Sequence, residues 1–363
     1  MTVLFVPVTG FLGAGKTTTI GALARRLEQQ GRRVAVVTND QGEGLVDTVV
    51  AGESAGRVAE VTGGCFCCRF EDLLDVVAPL VGRYDVVLAE AVGSCTDLQA
   101  TVVRPLQQLH GERFRVAPLL TVLDPDRLAQ LTTELEAGES DDLAYLFERQ
   151  LAEADVIVVN KSDTVDPLRR RGVIGALGQT YADAIVLDIS ARTGDGIDDL
   201  IAVLAGEPDP GRSLIIDYDR YAQAEADLAW LNLEATITAD VLDPYAWAER
   251  LLRDLSRTTR LQGWVIGHVK VLVKGEGNGP TKLSLTAAGA DPSVDLAGGS
   301  LRAAQVWVNA RVACSPADLD NAVAAAVQSA DDGTGARSAI TGSPAAFRPG
   351  YPRPIHRIPA TSA

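Results

Sequence analysis

The stretch from Gly10 to Thr17 constrains this chain more than any other, because it fits the pattern G-x-x-x-x-G-K-[ST]. It follows an apolar run at residues 3–8 and opens a helical pattern, which is the context that a phosphate-binding loop requires. Glycines let the backbone turn tightly and direct N–H groups inward, and the following helix adds the positive end of its dipole. We therefore predict a phosphate site formed by Gly13, Ala14, Gly15, Lys16, Thr17 and Thr18.

Two side chains of this loop have separate predicted roles. The Lys16 ammonium would reach the β- and γ-phosphates of a nucleotide, and the Thr17 hydroxyl would hold Mg²⁺. A second magnesium candidate is Glu90, an acid that ends the apolar stretch at residues 84–90. A carboxylate there would bind Mg²⁺ directly or through water. The alternative for Glu90 is a strand-end acid that caps the next helix.

The composition limits the class of protein. A chain of 363 residues accommodates two domains. Its net charge of −15 argues against binding to nucleic acid or to an anionic membrane, because both require positive surface. No run approaches the roughly 18 to 20 apolar residues of a membrane span, and residues 1–8 lack the pattern of a cleavable leader. We expect a cytoplasmic protein without a nucleic-acid or membrane partner.

Apolar runs alternate with helical patterns up to about residue 204. Several runs are rich in valine and apolar throughout, as in parallel strands covered on both faces. This predicts a doubly wound, mainly parallel α/β domain at residues 1–208, with ligands beyond the carboxyl ends of the strands. The candidate strands are residues 3–8, 33–38, 58–61, 85–90, 116–123, 155–159 and 184–189. The candidate helices are residues 17–30, 71–82, 98–110, 141–154, 168–178 and 196–205.

A different pattern follows the glycine- and proline-containing segment at residues 206–211. It predicts a smaller α+β domain at residues 209–330, in the order β-α-β-β-β-α. Its candidate strands are residues 231–239, 264–273, 281–286 and 305–314, and its candidate helices are residues 244–261 and 316–328. From residue 331 to 363 the chain is rich in Pro, Gly, Ser and Ala, which predicts a tail without a core, either mobile or lying on a partner.

The sequence Asn160-Lys161-Ser162-Asp163 follows one of the candidate strands. A carboxylate at Asp163 can accept two hydrogen bonds from guanine, a pair that adenine does not offer, so such a site favours GTP over ATP. The Lys161 stem can lie along the face of the base. Backbone N–H groups at Ser190 and Ala191, which end another strand, can meet the guanine oxygen. We therefore predict a GTP/GDP site.

Three of the five cysteines crowd into Gly64-Cys65-Phe66-Cys67-Cys68, which is not a disulfide framework. Thiolates are soft ligands that suit zinc and its neighbours. We expect two or three of Cys65, Cys67 and Cys68 to bind a transition metal, with further ligands from elsewhere in the chain or from a second subunit in a homodimer. The alternative is a set of core thiols at the start of a helix.

These stretches together resemble the CobW/HypB/UreG family of GTPases, and its CobW branch in particular. The resemblance covers about residues 1–205. It rests on the phosphate loop at residues 10–18, the cysteine turn at residues 64–68, Glu90-Ala91-Val92-Gly93, and Asn160-Lys161-Ser162-Asp163. It implies a P-loop GTPase sheet followed by a CobW-like carboxyl-terminal domain. It further implies a GTP-hydrolysing switch that helps to load a metal, such as Zn²⁺ or Co²⁺, or a cofactor into a client metalloenzyme.

The metal ligands implied by the resemblance fit this chain unevenly. Where the branch often has Asn-Glu-Phe-Gly-Glu, this chain has Asn39-Asp40-Gln41-Gly42-Glu43. Asp40 and Glu43 can supply oxygen ligands, although aspartate reaches less far than glutamate. After Gly93 the chain departs from the proline-containing pattern of the branch and has Cys95, which is either an extra ligand or a small core residue.

GTP hydrolysis depends mainly on positioning and on charge stabilisation. The residues that we expect to act are Lys16 and Glu90, with Asp40 or Asp47 orienting the attacking water. No residue in the sequence is compelling for that last role, so we expect slow intrinsic turnover. The segment at residues 40–47 is expected to lie near the γ-phosphate, with the cysteine turn between it and the strand that ends at Glu90. Nucleotide and metal would therefore influence each other.

Two other functions remain compatible with the residues. One is a GTPase chaperone that services a cobalamin-dependent enzyme, in which the cysteine turn contacts the cofactor or has a structural role. The other is a P-loop small-molecule kinase with a structural zinc turn, which the guanine-type motif disfavours.

Overall fold

The computed structural model describes residues 2–39, 46, 58–62, 64–129, 142–209, 214–341 and 346–360. Contacts divide the chain into two units. The first unit comprises Met1–Gln41, Asp47–Ala224 and Tyr351–Ala363, and the second comprises Gly42–Val46 and Glu225–Gly350. Among the described helices, none combines the length and apolarity that a bilayer crossing needs.

The first unit is built on a parallel sheet. Its strand order is β3-β2-β4-β1-β6-β7-β8, and β5 pairs with the amino-terminal residues of β1. The buried central strands have apolar side chains on both faces, as a doubly wound sheet requires. The strands are β1 Val3–Thr9, β2 Val34–Asn39, β3 Val58–Val61, β4 Val86–Glu90, β5 Phe114–Val116, β6 Leu120–Leu123, β7 Val156–Val159 and β8 Ile185–Asp188.

Besides a short helical stretch at residues 125–129, seven α-helices connect these strands or follow them. They are α1 Lys16–Gln29, α2 Phe70–Val77, α3 Arg104–His110, α4 Asp142–Ala152, α5 Pro167–Thr180, α6 Ile197–Leu204 and α7 Tyr218–Asp227 among the described residues. A tight 3₁₀ turn at Ala78–Leu80 follows α2, and a π-helical segment at Gln99–Val103 precedes α3. Asp166 caps α5 by accepting hydrogen bonds from the N–H groups of Leu168 and Arg169.

The predicted doubly wound α/β sheet is confirmed, with one difference inside a predicted strand. The run at residues 116–123 forms two strands, β5 and β6, which both lie beside β1. Pro118 stands between them, and proline has no N–H with which to continue a ladder of hydrogen bonds. The apolar run is therefore buried, as predicted, but it does not form one continuous strand.

The second unit is an antiparallel sheet with two long helices. Its strand order is β12-β11-β10-β13-β9-β14, and a core that includes Trp247 and Leu251 joins the helices to the sheet. Ser315 caps the last helix by accepting a hydrogen bond from the Asp318 N–H. The elements are β9 Ala229–Leu242, α8 Pro244–Gln262, β10 Ile266–Lys274, β11 Thr281–Leu285, β12 Ser293–Leu296, β13 Leu301–Val312, α9 Pro316–Thr334 and β14 Arg337–Ile340.

The described residues after 331 include regular structure that the predicted tail at residues 331–363 did not have. Helix α9 continues to Thr334, where Gly335 ends it in the left-handed conformation. Strand β14 then pairs with β9, and residues 351–360 lie against the first unit. Composition alone did not reveal these long-range contacts. The predicted domain bounds, at residues 1–208 and 209–330, stay a prediction.

A buried carboxyl group lies between α4 and the π-helical segment of the first unit. Glu153 is fully buried and accepts hydrogen bonds from Thr96 Oγ1 at 3.1 Å and from the Gln99 N–H at 3.2 Å. Burial, followed by the nearby charge of Asp97, raises the pKa of Glu153 from its ordinary 4.5 to about 8. The folded protein therefore keeps this carboxyl protonated over a range in which the unfolded chain releases the proton.

We predict that Glu153 makes the protein less stable as the pH rises. Between about pH 4.5 and 8 the unfolded state binds fewer protons at this site than the folded state. The free energy of unfolding therefore falls, by up to roughly 1.4 kcal/mol per pH unit. Glu153→Gln, which is always neutral, should remove this slope in urea unfolding at several pH values, whereas Glu28→Gln on an exposed face of α1 should keep it. Parallel pH profiles for wild type and Glu153→Gln would contradict the assignment.

Candidate functional site

The loop between β1 and α1 depends on glycines at three positions. Gly10, Gly13 and Gly15 all have positive φ angles, which L-residues with side chains rarely adopt. A Cβ on Gly10 would lie 2.1 Å from the Val122 carbonyl oxygen, and one on Gly15 would lie 2.4 Å from Asn160 Nδ2. The loop backbone is therefore held close to β6 and to the end of β7, and it leaves room only for glycine.

Lys16 begins helix α1 with a buried side chain. Its Nζ donates hydrogen bonds to the carbonyl oxygens of Gly10 at 2.7 Å and of Phe11 at 3.3 Å. The ammonium thus lies over the loop, where it can neutralise phosphate charge. A Cβ on Gly93 would lie 3.0 Å from this Nζ, so the segment that follows β4 passes directly beside it.

Thr17 and Glu90 are brought together at the start of α1. Thr17 Oγ1 donates a hydrogen bond to Glu90 Oε1 at 3.0 Å, and both residues are buried. Hydroxyl and carboxylate oxygens are hard ligands of the kind that Mg²⁺ prefers, and two such groups suffice when phosphate and water complete the shell. The pair therefore fits a magnesium ion beside the phosphate loop. Thr18, the last residue predicted for the loop, is exposed.

Asn160 links the phosphate loop to the predicted base-binding residues. Its Nδ2 donates to the Ala14 carbonyl oxygen at 3.1 Å, and its Oδ1 accepts from the Ala191 N–H at 3.1 Å. Lys161 follows with a positive φ of 60°, and its Nζ lies 2.6 Å from Asp124 Oδ2. These contacts fix the ends of β6 and β7 relative to the loop.

Asp163 lies beside Ser190, as the two predicted base contacts require. Ser190 Oγ donates to Asp163 Oδ1 at 2.7 Å, and the Arg192 guanidinium forms an ion pair with the other oxygen. Burial works to raise the pKa of Asp163, but the hydrogen bond from Ser190 and the charge of Arg192 outweigh it, and the pKa is lowered. The carboxylate is therefore ionised at neutral pH and able to accept N–H groups of a base.

The cysteine turn is anchored by Asn39, the last residue of β2. Asn39 Nδ2 donates to the carbonyl oxygens of Val61 at 2.9 Å and Gly64 at 2.7 Å, and its Oδ1 accepts from the Phe66 N–H at 2.9 Å. One side chain thus satisfies three backbone groups, one at the end of β3 and two in the turn. The end of β2 is therefore joined directly to the cysteine turn.

The three thiols of the turn lie close enough to share one ion. Cys65 Sγ and Cys67 Sγ are 2.7 Å apart, Cys67 Sγ and Cys68 Sγ are 3.8 Å apart, and all three sulfurs lie within 4.8 Å of one another. Sulfurs around one tetrahedral zinc, at about 2.3 Å from the metal, are separated by about 3.8 Å. The donor set therefore fits a soft divalent cation with small adjustments of the side chains.

Two of the thiols, those of Cys67 and Cys68, have raised pKa values. Hydrogen bonding to Cys65, then to Cys68 and Cys95, together with burial, raises the pKa of Cys67 well above its ordinary value. Hydrogen bonding with Cys65, followed by burial, raises the pKa of Cys68 to about 11. A bound metal would have to displace these protons, so metal affinity at this turn is expected to rise with pH.

Three of the predicted site residues lie outside the described part of the chain. They are Asp40, Glu43 and Asp47, which were assigned to the water-orienting and oxygen-ligand roles. The remaining predicted residues form two groups in the first unit: the nucleotide group around the phosphate loop and Asn160, and the thiol group at residues 65–68.

Sequence reasoning missed several residues that organise the site. Asn39, Asp124, Gln150 and Arg192 each hold one of the predicted residues or its loop through a side chain. Asn39 carried a usable signal, because a polar amide that ends a buried strand usually has a specific partner. Gln150 carried none, since it lies inside a helix and contacts a loop far away in the sequence.

The nucleotide-binding part of the chain is similar to known proteins. Residues 4–184 match the family described as CobW/HypB/UreG, nucleotide-binding domain. The chain is 33% identical over 190 residues to the zinc chaperone CobW of Pseudomonas aeruginosa, with 44% of this chain and 48% of that protein covered. It is 30% identical over 160 residues to the zinc chaperone YjiA of Escherichia coli, with 43% and 48% covered.

A eukaryotic relative matches the same part of the chain. The zinc-regulated GTPase metalloprotein activator 1 of Schizosaccharomyces pombe is 25% identical over 173 residues, with 44% of this chain and 40% of that protein covered. The chain thus spans about half the length of the curated relatives that it matches. Through the nucleotide-binding domain at residues 4–184, this chain belongs to the CobW/HypB/UreG family.

Proposed function

We propose that this protein is a GTP-hydrolysing metallochaperone or metalloenzyme activator. GTP and Mg²⁺ bind at the phosphate loop, a transition metal binds at the cysteine turn, and hydrolysis accompanies delivery of the metal to a client metalloenzyme. The names of the matched relatives, which include zinc chaperones and a GTPase metalloprotein activator, support this reading.

The observation that carries the proposal is the position of both sites at the ends of two paired strands. Strand β2 ends at Asn39, which holds the cysteine turn, and strand β4 ends at Glu90, which bonds to Thr17 of the phosphate loop. Strands β2 and β4 are hydrogen-bonded neighbours. A ligand that shifts one strand end therefore changes the free energy of binding at the other, and the effect is reciprocal.

Hydrolysis requires stabilisation of charge on the transferred phosphoryl group. Lys16 and the N–H groups of the loop supply positive charge and hydrogen bonds there. Magnesium, when bound to Thr17 and Glu90, adds neutralising charge on the phosphate oxygens. Asp40 and Asp47 are our candidates for orienting the attacking water. We expect slow turnover by the isolated protein, because neither is a strong base at neutral pH.

The proposed cargo is held by Cys65, Cys67 and Cys68, with Asp40 and Glu43 as candidate oxygen ligands. The zinc in the relatives' names favours zinc over cobalt, and favours metal delivery over service to a cobalamin-dependent enzyme. The ionised Asp163 beside Ser190 favours guanine recognition and disfavours a small-molecule kinase. A homodimer that shares the metal is a further part of the hypothesis.

We predict that Asp163→Asn weakens GTP binding by about 100-fold or more, because the amide places a donor where guanine offers donors. ATP affinity should change little. The matched control is Asp166→Asn, which alters a nearby acid that caps α5 and for which asparagine is an equally good cap. Affinities measured with a fluorescent guanine nucleotide check the prediction. Equal GTP affinities for the two variants would contradict the assigned role of Asp163.

We predict that zinc affinity depends on the nucleotide, with a ratio of about 5- to 150-fold between a non-hydrolysable GTP analogue and GDP. Cys67→Ser should lower zinc affinity by at least about 100-fold. Cys314→Ser, which changes a half-buried cysteine of the second unit, should leave it unchanged. Competition with a chromogenic chelator measures each affinity. Zinc uptake that is identical in the GDP and GTP-analogue states would count against the proposed coupling.

A further inference from the structure

Residues 351–358, which we call the strap, contact the cysteine turn. The strap belongs to the first unit and crosses the cysteine turn. The Ile355 N–H donates to the Cys67 carbonyl oxygen at 3.0 Å, and the Arg353 N–H donates to Cys68 Sγ at 3.1 Å. Cys65 and Cys67 are buried, whereas Cys68 is half-buried. The strap therefore contacts the most accessible sulfur of the turn.

An ion pair fastens the strap beyond the thiols. Arg357 Nε donates to Asp97 Oδ2 at 2.7 Å, and the Asp97 side chain is 2% exposed. The Ile358 N–H donates to the Ala100 carbonyl oxygen at 2.8 Å, and Arg104 donates to the Ile358 carbonyl oxygen at 3.1 Å. A charge-assisted pair at a buried carboxylate is among the stronger polar contacts in a protein. Arg357 is thus the main anchor of the strap.

We infer that the strap is a cover over Cys68, which must be displaced before a client's ligand can reach the metal; this inference rests on the proposed function. A backbone N–H that donates to the sulfur stabilises it and also occupies its accessible side. Displacing the strap would break the Arg353 and Ile355 hydrogen bonds together, because both lie within a few residues of the Arg357 anchor. The strap would therefore leave the turn as a unit.

The cover can be tested without metal, by the rate at which N-ethylmaleimide modifies Cys68 in the full chain. Arg357→Ala should raise this rate about tenfold or more, Arg357→Lys should restore part of the protection, and Arg348→Ala, an exposed arginine upstream, should have no effect. Loss of the Arg353 hydrogen bond alone would raise the pKa of the thiol and slow the reaction. An increase therefore reports exposure.

Amide hydrogen exchange of residues 353–358 completes the test. Faster exchange and faster modification in Arg357→Ala support the cover. Faster exchange with unchanged modification would overturn it, and so would unchanged exchange, because Arg357 would then not be the anchor.

Discussion

The hydrogen bond between Thr17 and Glu90 joins the first turn of α1 to the end of β4, and the remaining site depends on it. Strands β1 and β4 are paired in register up to Val8 and Glu90, so the phosphate loop and the segment after Glu90 leave the sheet side by side. Parallel strands deliver all their carboxyl ends to one edge. A ligand that binds Glu90 in place of Thr17 therefore acts at the start of the segment that carries Gly93 and Cys95.

Whether a displacement of Glu90 reaches neighbouring residues depends on how rigid the connecting segments are. The segment after Glu90 has little conformational freedom. Leu12 lies too close to Gly93 to leave room for a side chain there, and Gln150 donates hydrogen bonds to two carbonyl oxygens of the segment. Asp97 has a positive φ of 63°. On the other side, the Asn39 side chain makes three hydrogen bonds, one to the end of β3 and two to the cysteine turn. The segment after Glu90 and the cysteine turn are thus each held rigidly at the end of one of two neighbouring strands. A packed region of this kind changes between discrete arrangements instead of deforming gradually.

Local patterns and long-range contacts differ in what the sequence reveals. The phosphate loop, the Asn160 motif and the cysteine turn are contiguous, and each needs its residue types at fixed spacing, so they were recognisable. The supports of Asn39, Gln150 and Arg357 join residues 25, 55 and 260 positions apart, and no periodicity encodes them. For the same reason Arg353 and Arg357 seemed part of a tail rich in Pro and Gly, although Arg353 contacts Cys68 and Arg357 contacts Asp97.

The charges around the thiols explain why a covered site suits them. Ionising several adjacent buried thiols without a cation is unfavourable, as the raised pKa values of Cys67 and Cys68 reflect. A divalent cation reverses this balance, but three thiolates around it still leave an excess of negative charge. The strap brings backbone N–H donors and the cationic Arg357 to this region of a chain whose net charge is −15. It therefore stabilises the site most when the thiols are ionised. The strap and the metal should favour each other's binding, and release of one should loosen the other.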